Sequence, residues 1–333
     1  MGKRIVLADP RGFCAGVDRA ILTVRTILKS ADTPRADGLP PVYVRRQIVH
    51  NKHVVEDLAA QGAVFVQELA EIPDAAAEAG IPIVFSAHGV SPAVKAEAAA
   101  RGMHVVDATC PLVSKVHREV LRFVKEGYEI IYIGHKGHDE AVGVVEEAPE
   151  HVHLIEHASD VDSLDFQPDT KLLLTQTTLS VDETAGTITA LKARFPWLGM
   201  PPNSDICYAT SNRQAAVKLV AEQADCVVIV GSANSSNSVR LMEVAQEGLN
   251  ARYASKTAVG AAGRAHRVDD ASELDPAWFE GVESVGISSG ASVPDELVSG
   301  VVAALQELGY QDVDTIETIK ENMHFVLPAE LRK

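Results

Sequence analysis

The sequence has few cysteines, few basic residues and no long apolar run, and each shortage excludes a class of protein. Four cysteines among 333 residues are too few for a disulfide-stabilised scaffold. The net charge of −16 does not favour binding to nucleic acid or to an anionic membrane surface, because both reward lysine and arginine. Apolar runs such as residues 226–230 are far too short to span a bilayer. We therefore expect a soluble protein that binds neither partner.

The first residues, MGKRIVLADP, lack the apolar region and the cleavage site of a signal peptide. We therefore expect a cytoplasmic protein, whose thiols are core side chains, nucleophiles or metal ligands. Its 46% apolar and 23% charged content is typical of a globular protein, and its length suits two or three α/β units.

Short β-type segments alternate with helical patterns along the chain. The predicted strands are residues 4–8, 42–45, 63–66, 82–86, 104–107, 129–133, 171–175, 226–230 and 284–287. Clear helix signals occur at residues 51–62, 91–102 and 111–127. This alternation predicts an α/β fold with parallel or mixed sheets, and the near-continuously apolar strands indicate sheets that are covered on both faces.

Three cysteines recur at nearly equal intervals, each where a strand gives way to a helix: Cys14, Cys110 and Cys207. Two polar loops follow each cysteine in turn: QIVHNK and SAHGVS, GHKGHDE and TQTTLS, GSANSSNS and SSGASVPDE. Chance could explain the equal spacing alone, but the recurring loops favour three related α/β lobes around a shared centre. Ligands in such folds gather beyond the carboxyl ends of the strands, where these loops fall.

The predicted boundaries follow this period. Lobe 1 is predicted at residues 15–108, lobe 2 at 109–205, lobe 3 at 206–313 together with 1–14, and a C-terminal tail at 314–333.

The three recurring cysteines lie near predicted helix starts, where the thiolate form that binds metals is stabilised. Cys110 is an N-cap candidate before Pro111, and Ser211 is the expected N-cap of the helix after Cys207. Cys226 lies inside an apolar run and is expected to be a core residue.

Three converging thiolates leave several chemistries open. A 4Fe–4S cluster takes four ligands, so three cysteines would leave one iron open to a substrate. A structural zinc commonly uses C-x-x-C spacings, which the sequence lacks, and a catalytic zinc with three cysteines is uncommon. A single nucleophilic cysteine would leave the other two unexplained. The residues favour the cluster modestly over zinc.

The polar loops are rich in imidazoles, hydroxyls and amides. They contain His50, His88, His138, Thr177, Thr178, Ser235, Ser236, Asn237, Ser288, Ser289 and Ser292. Such donors, with backbone N–H groups at helix starts, hold phosphate oxygens without lysine, so an acidic chain can still bind an anion. Several of the hydroxyls also suit helix capping. Glu140 is the carboxyl that we expect to transfer protons.

Nine motifs, in order over nearly the whole chain, resemble those of the 4-hydroxy-3-methylbut-2-enyl diphosphate reductase family. They are PRGFCAGVDRA, VHN, SAHGV, DATCPLV, GHKGHDE, TQTTLSVD, DICYATSNRQ, GSANSSNS and GASVPD. The resemblance implies a trefoil of three α/β lobes around a central iron–sulfur cluster. It also implies a reductive dehydroxylation, in which two electrons and two protons convert the allylic diphosphate into isopentenyl and dimethylallyl diphosphates and water.

The resemblance further implies a role for each matching residue. The 4Fe–4S cluster would be held by Cys14, Cys110 and Cys207, with the fourth iron taking the substrate hydroxyl. The diphosphate would be bound by His50, His88, His138, Ser235, Ser236, Asn237 and Ser292. Thr177 would order the substrate hydroxyl or a water, and Glu140 would deliver protons. Electrons would come from a ferredoxin or flavodoxin, since the chain has no G-x-G-x-x-G fingerprint of its own.

Three features depart from the family pattern: a polar insertion at residues 30–40, Asp139 where proline is common, and the additional Cys226. The insertion bears on donor docking or oligomer contacts, and Asp139 bears on the local geometry of Glu140. The residues leave two other functions open, a zinc-dependent hydrolase or lyase acting on a phosphorylated metabolite and a non-catalytic iron–sulfur sensor. A sensor would have little use for so many donors at strand ends.

Overall fold

The structure is a computed structural model that describes residues 2–31, 35, 37–166, 171–201, 204–254 and 262–332. Within these ranges the strands are β1 (Arg4–Asp9), β2 (Val42–Arg45), β3 (Ala63–Val66), β4 (Pro82–Phe85), β5 (His104–Asp107), β6 (Glu129–Ile133), β7 (Val152–Ile155), β8 (Lys171–Thr175), β9 (Cys226–Val230), β10 (Arg264–Val268), β11 (Ser284–Ser289) and β12 (Asp312–Glu317). The α-helices are α1 (Ala15–Ser30), α2 (Lys52–Ala60), α3 (Asp74–Glu78), α4 (Pro92–Ala100), α5 (Pro111–Lys125), α6 (Asp139–Val145), α7 (Val181–Arg194), α8 (Tyr208–Gln223), α9 (Ser236–Tyr253) and α10 (Asp295–Glu307). Among the described helices, none has the length and apolar character that crossing a membrane requires.

The chain forms two compact units. The first comprises Met1–Cys14, His50–Lys52 and Tyr208–Met323. The second comprises Ala15–Val49, His53–Cys207 and His324–Lys333.

The first unit is built on a parallel five-stranded sheet with the strand order β10-β9-β11-β1-β12. Strand β9 is buried along its whole length. Its residues Cys226, Val228 and Val230 belong to one apolar cluster, and Val227 and Ile229 belong to another. Because successive side chains of a strand point to opposite faces, both faces of this sheet are covered, which explains the continuous apolar run.

The second unit contains two further parallel sheets, with the strand orders β3-β2-β4-β5 and β7-β6-β8. Strand β6 repeats the alternation of β9: Ile130 and Tyr132 pack in one apolar cluster, and Ile131 and Ile133 pack in the other. The predicted α/β class, with parallel sheets in three groups, is therefore confirmed.

The three sheets follow the predicted lobes closely in sequence. Strands β2–β5 fall in lobe 1, β6–β8 in lobe 2, and β1 with β9–β11 in lobe 3. Strand β12 passes the boundary predicted at residue 313 and pairs with β1, so the first residues of the expected tail belong to a sheet. The lobe boundaries themselves stay predictions. Of the predicted insertion at residues 30–40, residues 32–34 and 36 lie outside the described residues.

All nine predicted strands are present, and the structure adds β7, β10 and β12. Each added strand lies at the edge of its sheet. Strands β10 and β12 carry several charged residues, RAHRV and DVDTIE, and β7 has only four residues, one of them a histidine, so none of the three shows the continuous apolar character that identified most of the others.

Parallel strands place their carboxyl ends at one edge of a sheet, and the predicted site residues follow those ends. In the first unit, Cys14 and Ser292 follow the adjacent strands β1 and β11. In the second unit, His88 and Cys110 follow the adjacent strands β4 and β5, and Thr177 follows β8.

Candidate functional site

In the first unit, the loop that carries Cys14 is bound through its backbone to the loop after β11. The Cys14 N–H donates to the carbonyl oxygen of Ala291 at 3.1 Å, and the Gly12 N–H donates to Ser289 Oγ at 2.8 Å. The Cys14 side chain is partly exposed. The backbone therefore fixes this cysteine while its thiol keeps access to a ligand.

Arg213 of α8 strengthens the same loop from inside the first unit. Its guanidinium is fully buried and donates to the carbonyl oxygen of Gly12 at 2.8 and 3.2 Å. It also pairs with the Glu321 carboxylate at 3.1 Å, which compensates the buried charge. Arg213 stands in the quoted motif DICYATSNRQ, but nothing in the sequence connects it to Glu321, so this positioning pair was not predicted.

The polar residues at the start of α9 form a second group in this unit. Ser235 is the N-cap of α9, and its Oγ accepts from the Ser238 N–H at 3.4 Å. Asn237 Oδ1 accepts from the Ala291 N–H at 2.8 Å, and Ser292 Oγ donates to the carbonyl oxygen of His50 at 3.0 Å. The predicted binding residues Ser235, Asn237, Ser292 and His50 are thus close together, and Ser236 is the first residue of α9.

Several buried donors of this unit have no hydrogen-bond partner among the described residues. Those nearest the start of α9 and the end of β11 are the Nδ2 amide of Asn237, whose side-chain oxygen already accepts from Ala291, and the hydroxyl of Ser288. A buried polar group without a partner lowers the stability of the fold, and such groups in a native protein commonly bind a ligand or a water. The N-terminus of the 18-residue helix α9 adds a partial positive charge. This group therefore suits an anionic ligand.

In the second unit, His88 and His138 meet edge to face, with ring centroids 5.9 Å apart. His138 is the N-cap of α6, and its Nδ1 accepts from the Glu140 N–H at 3.2 Å. Since Nδ1 accepts, the proton of the neutral ring lies on Nε2, which makes that nitrogen a hydrogen-bond donor.

Glu140 is the most unusual carboxyl of the site, because its side chain is buried, with 1% of the residue exposed. Its two oxygens accept from the Thr177 N–H at 2.8 Å and from the Thr177 hydroxyl at 2.9 Å. Burial raises the pKa of Glu140 to about 7, although the two Thr177 bonds oppose this shift and the charge of Asp205 adds to it. Burial, followed by the Glu140 charge, also raises the pKa of the Tyr132 hydroxyl. A carboxyl with this pKa is still partly protonated near neutral pH.

Asp139, which stands where proline is common, is compatible with the geometry of Glu140. It is the first residue of α6, where an acidic side chain suits the helix dipole, and it pairs with Arg46. Arg46 is paired in addition with Glu68 at 3.1 Å. The acidic residue in place of the usual proline is therefore used to hold the start of α6, and Glu140 remains hydrogen-bonded to Thr177.

Cys110 and Cys207 are anchored by backbone bonds to other predicted site loops of the second unit. The Cys110 N–H donates to the carbonyl oxygen of Ala87 at 2.9 Å, and the Cys207 N–H donates to that of Thr177 at 3.0 Å. Both side chains are partly exposed, and none of the four cysteines, all of them described, is in a disulfide. Cys110 is the N-cap residue of α5, as predicted.

The prediction for the helix after Cys207 was wrong in its starting point. Ser211 is not the N-cap, because α8 begins at Tyr208 and Ser211 lies inside its first turn. The backbone bond from Cys207 to the Thr177 loop fixes the chain just before Tyr208, and the helix begins four residues earlier than an N-cap at Ser211 would place it. Cys226 is in the core as predicted, and burial raises the pKa of its thiol to about 12. It therefore lacks the thiolate that a metal ligand provides.

Comparison with known proteins agrees with the motifs. The family model described as LytB protein matches residues 5–306. The 4-hydroxy-3-methylbut-2-enyl diphosphate reductase of Bifidobacterium longum is 81% identical, over 100% of this chain and 93% of its own. The protein of that name from Nocardia farcinica is 53% identical, over 99% of this chain and 91% of its own.

Solved structures show the same relationship. The E-1-hydroxy-2-methyl-but-2-enyl-4-diphosphate reductase of Plasmodium falciparum has a TM-score of 0.89 and 35% identity, and the match covers 99% of this chain and 97% of that one. A second structure, of (E)-4-hydroxy-3-methyl-but-2-enyl diphosphate reductase, described as the terminal enzyme of the non-mevalonate pathway, has a TM-score of 0.59 and 29% identity over 92% and 99% of the two chains. The predicted resemblance is confirmed, and the chain belongs to the LytB protein family.

Proposed function

We propose that this oxidoreductase converts 4-hydroxy-3-methylbut-2-enyl diphosphate into isopentenyl and dimethylallyl diphosphates, for the synthesis of isoprenoid precursors by the non-mevalonate pathway. The names of its relatives support the substrate. The observation that carries the chemistry is the buried Glu140 carboxyl, with a pKa of about 7 and two bonds to Thr177. Loss of a hydroxyl as water needs a proton donor that is still protonated near neutral pH, and Glu140 meets that need.

Cys14, Cys110 and Cys207 would hold a 4Fe–4S cluster, and three ligands leave the fourth iron open. Three features support this assignment: the partial exposure of the three thiols, their absence from disulfides, and the N-cap position of Cys110. When bound, such a cluster supplies electrons and a Lewis-acidic iron for the substrate hydroxyl. The buried Cys226, with a pKa of about 12, is excluded from the ligand set by its environment.

The diphosphate would be bound mainly by neutral donors. Ser235, Ser236, Asn237 and Ser292 would supply hydroxyls, an amide and the N-terminus of α9, and His50, His88 and His138 would supply imidazoles. Asn237 Nδ2, buried and without a partner among the described residues, is the donor that most clearly needs such a ligand. These groups bind an anion by donating hydrogen bonds and need no net positive charge. The site would therefore hold the diphosphate on a chain whose net charge is −16.

Glu140 would deliver a proton to the leaving hydroxyl and recover it from solvent between turnovers. The Thr177 hydroxyl donates to the Glu140 carboxylate at 2.9 Å, which fixes its position. From that position Thr177 would orient the leaving hydroxyl of the substrate or a water. Overall, two electrons and two protons enter, the C–O bond breaks, and water leaves. The electrons would come from a ferredoxin or flavodoxin in the cytoplasm.

The test is anaerobic purification followed by turnover. We expect brown protein with about four irons per chain, which oxidises a reduced viologen dye only when the diphosphate is added and which yields both isoprenoid products. Colourless protein that contains zinc would instead indicate a zinc-dependent hydrolase or lyase. Brown protein that leaves the dye reduced after substrate addition would indicate an iron–sulfur sensor.

A further inference from the structure

His117, on helix α5, forms a buried pair with Glu147 in the second unit. The distance from His117 Nδ1 to Glu147 Oε1 is 2.7 Å, and the two side chains are only 8% and 7% exposed. A carboxylate only accepts hydrogen bonds, so Nδ1 carries the proton of this bond. Glu147 lies two residues beyond the end of α6, and the pair therefore ties α5 to the end of α6.

The opposite edge of the His117 ring lies against two glycines. A Cβ atom added to Gly89 would lie 3.0 Å from His117 Nε2, and one added to Gly143 would lie 3.3 Å from Cε1. Gly89 also has a φ of +82°, which side chains with a Cβ rarely adopt. Both backbones approach the ring so closely that a larger residue would displace it.

The elements that His117 contacts are those that carry predicted site residues. Helix α5 begins directly after Cys110, Gly89 follows His88, and Gly143 shares the short helix α6 with Glu140. With 6% of the residue exposed and its ring held between Glu147 and two glycines, His117 is assigned no contact with the substrate. Its position instead links three site elements through one rigid side chain.

We propose that His117, held by Glu147, is a positioning residue that fixes α6 and the His88 turn relative to α5, and so sets the orientation of Glu140 and His138 for the reaction. The inference rests on the proposed function for its kinetic consequences, but its structural consequences can be measured without turnover. Small misplacements of catalytic groups are costly, because a shift of about 1 Å lowers rates about 100-fold.

The kinetic test compares His117→Ala and Glu147→Ala with the unchanged protein, each normalised to its iron content. We expect kcat to fall roughly 10- to 100-fold in both, with a smaller change in KM. The double variant should be no slower than either single one, because the two side chains act as a unit. Glu147→Gln keeps an acceptor for Nδ1 and should restore kcat to within about threefold of the unchanged protein.

A role in general stability would not move the pH profile, whereas a positioning role should. Looser packing of α6 admits water to Glu140, whose buried carboxyl interacts with Thr177, Asp205 and Tyr132, and so lowers the pKa that burial had raised. The alkaline limb of kcat should therefore move to lower pH in His117→Ala. Glu129→Gln is the matched control, because Glu129 is another carboxyl of this unit that binds histidines, at 2.8 Å from His151 and 2.7 Å from His153. Removing its charge should change neither kcat nor the alkaline limb of the pH profile.

Hydrogen exchange of the backbone gives the readout that does not depend on turnover. In His117→Ala, amides of residues 86–90 and 139–146 should exchange faster, with unchanged exchange in β9 of the first unit. Gly143→Ala should be better tolerated, by Tm, in the His117→Ala background than in the unchanged protein, because the ring that crowds its Cβ is gone.

The outcomes separate the two proposals. Unchanged kcat, pH limb and local exchange in His117→Ala would overturn the positioning role. If the unchanged protein does not reduce the diphosphate, the proposed function fails, and faster exchange in the two segments still supports the positioning role. Faster exchange over the whole chain, with no shift of the pH limb, would show that His117 serves stability alone.

Discussion

Glu140 and Thr177 are joined by two hydrogen bonds, so that one residue satisfies both oxygens of a buried carboxyl. Because Thr177 also accepts the backbone bond from Cys207, the proposed proton donor and a proposed metal ligand are fixed by the same residue.

Replacing the acid without changing its shape should separate binding from catalysis. Glu140→Gln should lower kcat by about 10²- to 10⁴-fold, the range expected when a general acid is lost, and should leave KM within about threefold. Steady-state kinetics with reduced viologen measure both. Glu146→Gln, an exposed carboxyl at the end of the same helix, is the control and should behave like the unchanged protein. Equal kcat in Glu140→Gln would remove this residue from the mechanism.

The raised pKa of Glu140 predicts a definite pH dependence of activity. The donor is protonated below about pH 7 and ionised above it, so kcat should fall on the alkaline side with an apparent pKa near 7. Initial rates from pH 5.5 to 9 at saturating substrate test this. A flat profile up to pH 9 would contradict the assignment.

The raised pKa of Glu140 also makes the stability of the fold depend on pH. A salt-bridged carboxyl, whose pKa is lowered, stabilises the fold as pH rises, whereas Glu140 does the opposite. Between its ordinary pKa of 4.5 and the folded value of about 7, Glu140 binds more protons in the folded state, so its ionisation destabilises the fold as pH rises. The free energy of unfolding of Glu140→Gln, relative to the unchanged protein, should therefore increase by about 2 kcal/mol between pH 5.5 and pH 8. Urea titrations of both proteins at each pH measure the difference.

Cysteine variants test the ligand set. Cys14→Ser, Cys110→Ser and Cys207→Ser should each lose the brown colour and most of the iron after anaerobic purification, because a cluster with two protein ligands is poorly held. Cys226→Ser is the internal control and should keep about four irons per chain. Loss of iron in Cys226→Ser at normal expression would show that the ligand set is wrong.

Asn237 offers a direct test of the proposed diphosphate site. Asn237→Asp keeps the oxygen that accepts from Ala291 but replaces the buried Nδ2 donor with a second carboxylate oxygen. We expect KM for the diphosphate to rise roughly 10- to 100-fold, since a hydrogen bond to a charged group contributes about 1.5–3 kcal/mol. Asn250→Asp, exposed at the far end of the same helix, should change KM by less than about twofold. An unchanged KM in Asn237→Asp would place the diphosphate elsewhere.

The fold was largely predictable because its central strands are buried on both faces. The run CVVIV of β9 is apolar at every position for that reason, and Ser91 and Cys110 marked helix starts that the structure confirms. The edge strand β12, with the sequence DVDTIE, is exposed at most positions and gave no such signal. Ser211 misled because a good capping residue does not begin a helix when the backbone is anchored upstream of it.

The candidate site could be described from the sequence as a set of motifs but not as a set of contacts. Arg213 with Glu321 and His117 with Glu147 are pairs whose members are far apart in sequence, and no periodicity connects them. The raised pKa of Glu140 is equally invisible in the sequence, because it arises from burial, which depends on the packing of α6 against its sheet. The motifs identified the candidate site residues, whereas the residues that pack behind them emerge only from the tertiary structure.

The neighbours of β1 in the five-stranded sheet have a consequence for biosynthesis. This strand leads into the Cys14 loop, and both of its partners, β11 and β12, come from the last part of the chain. As the polypeptide leaves the ribosome, β1 emerges early and has no partner until translation is nearly finished. The first half of the second unit is translated long before then and is free to fold. Assembly of the proposed metal centre is therefore expected to follow release of the chain, and a truncation before β12 would leave a nascent edge open to aggregation.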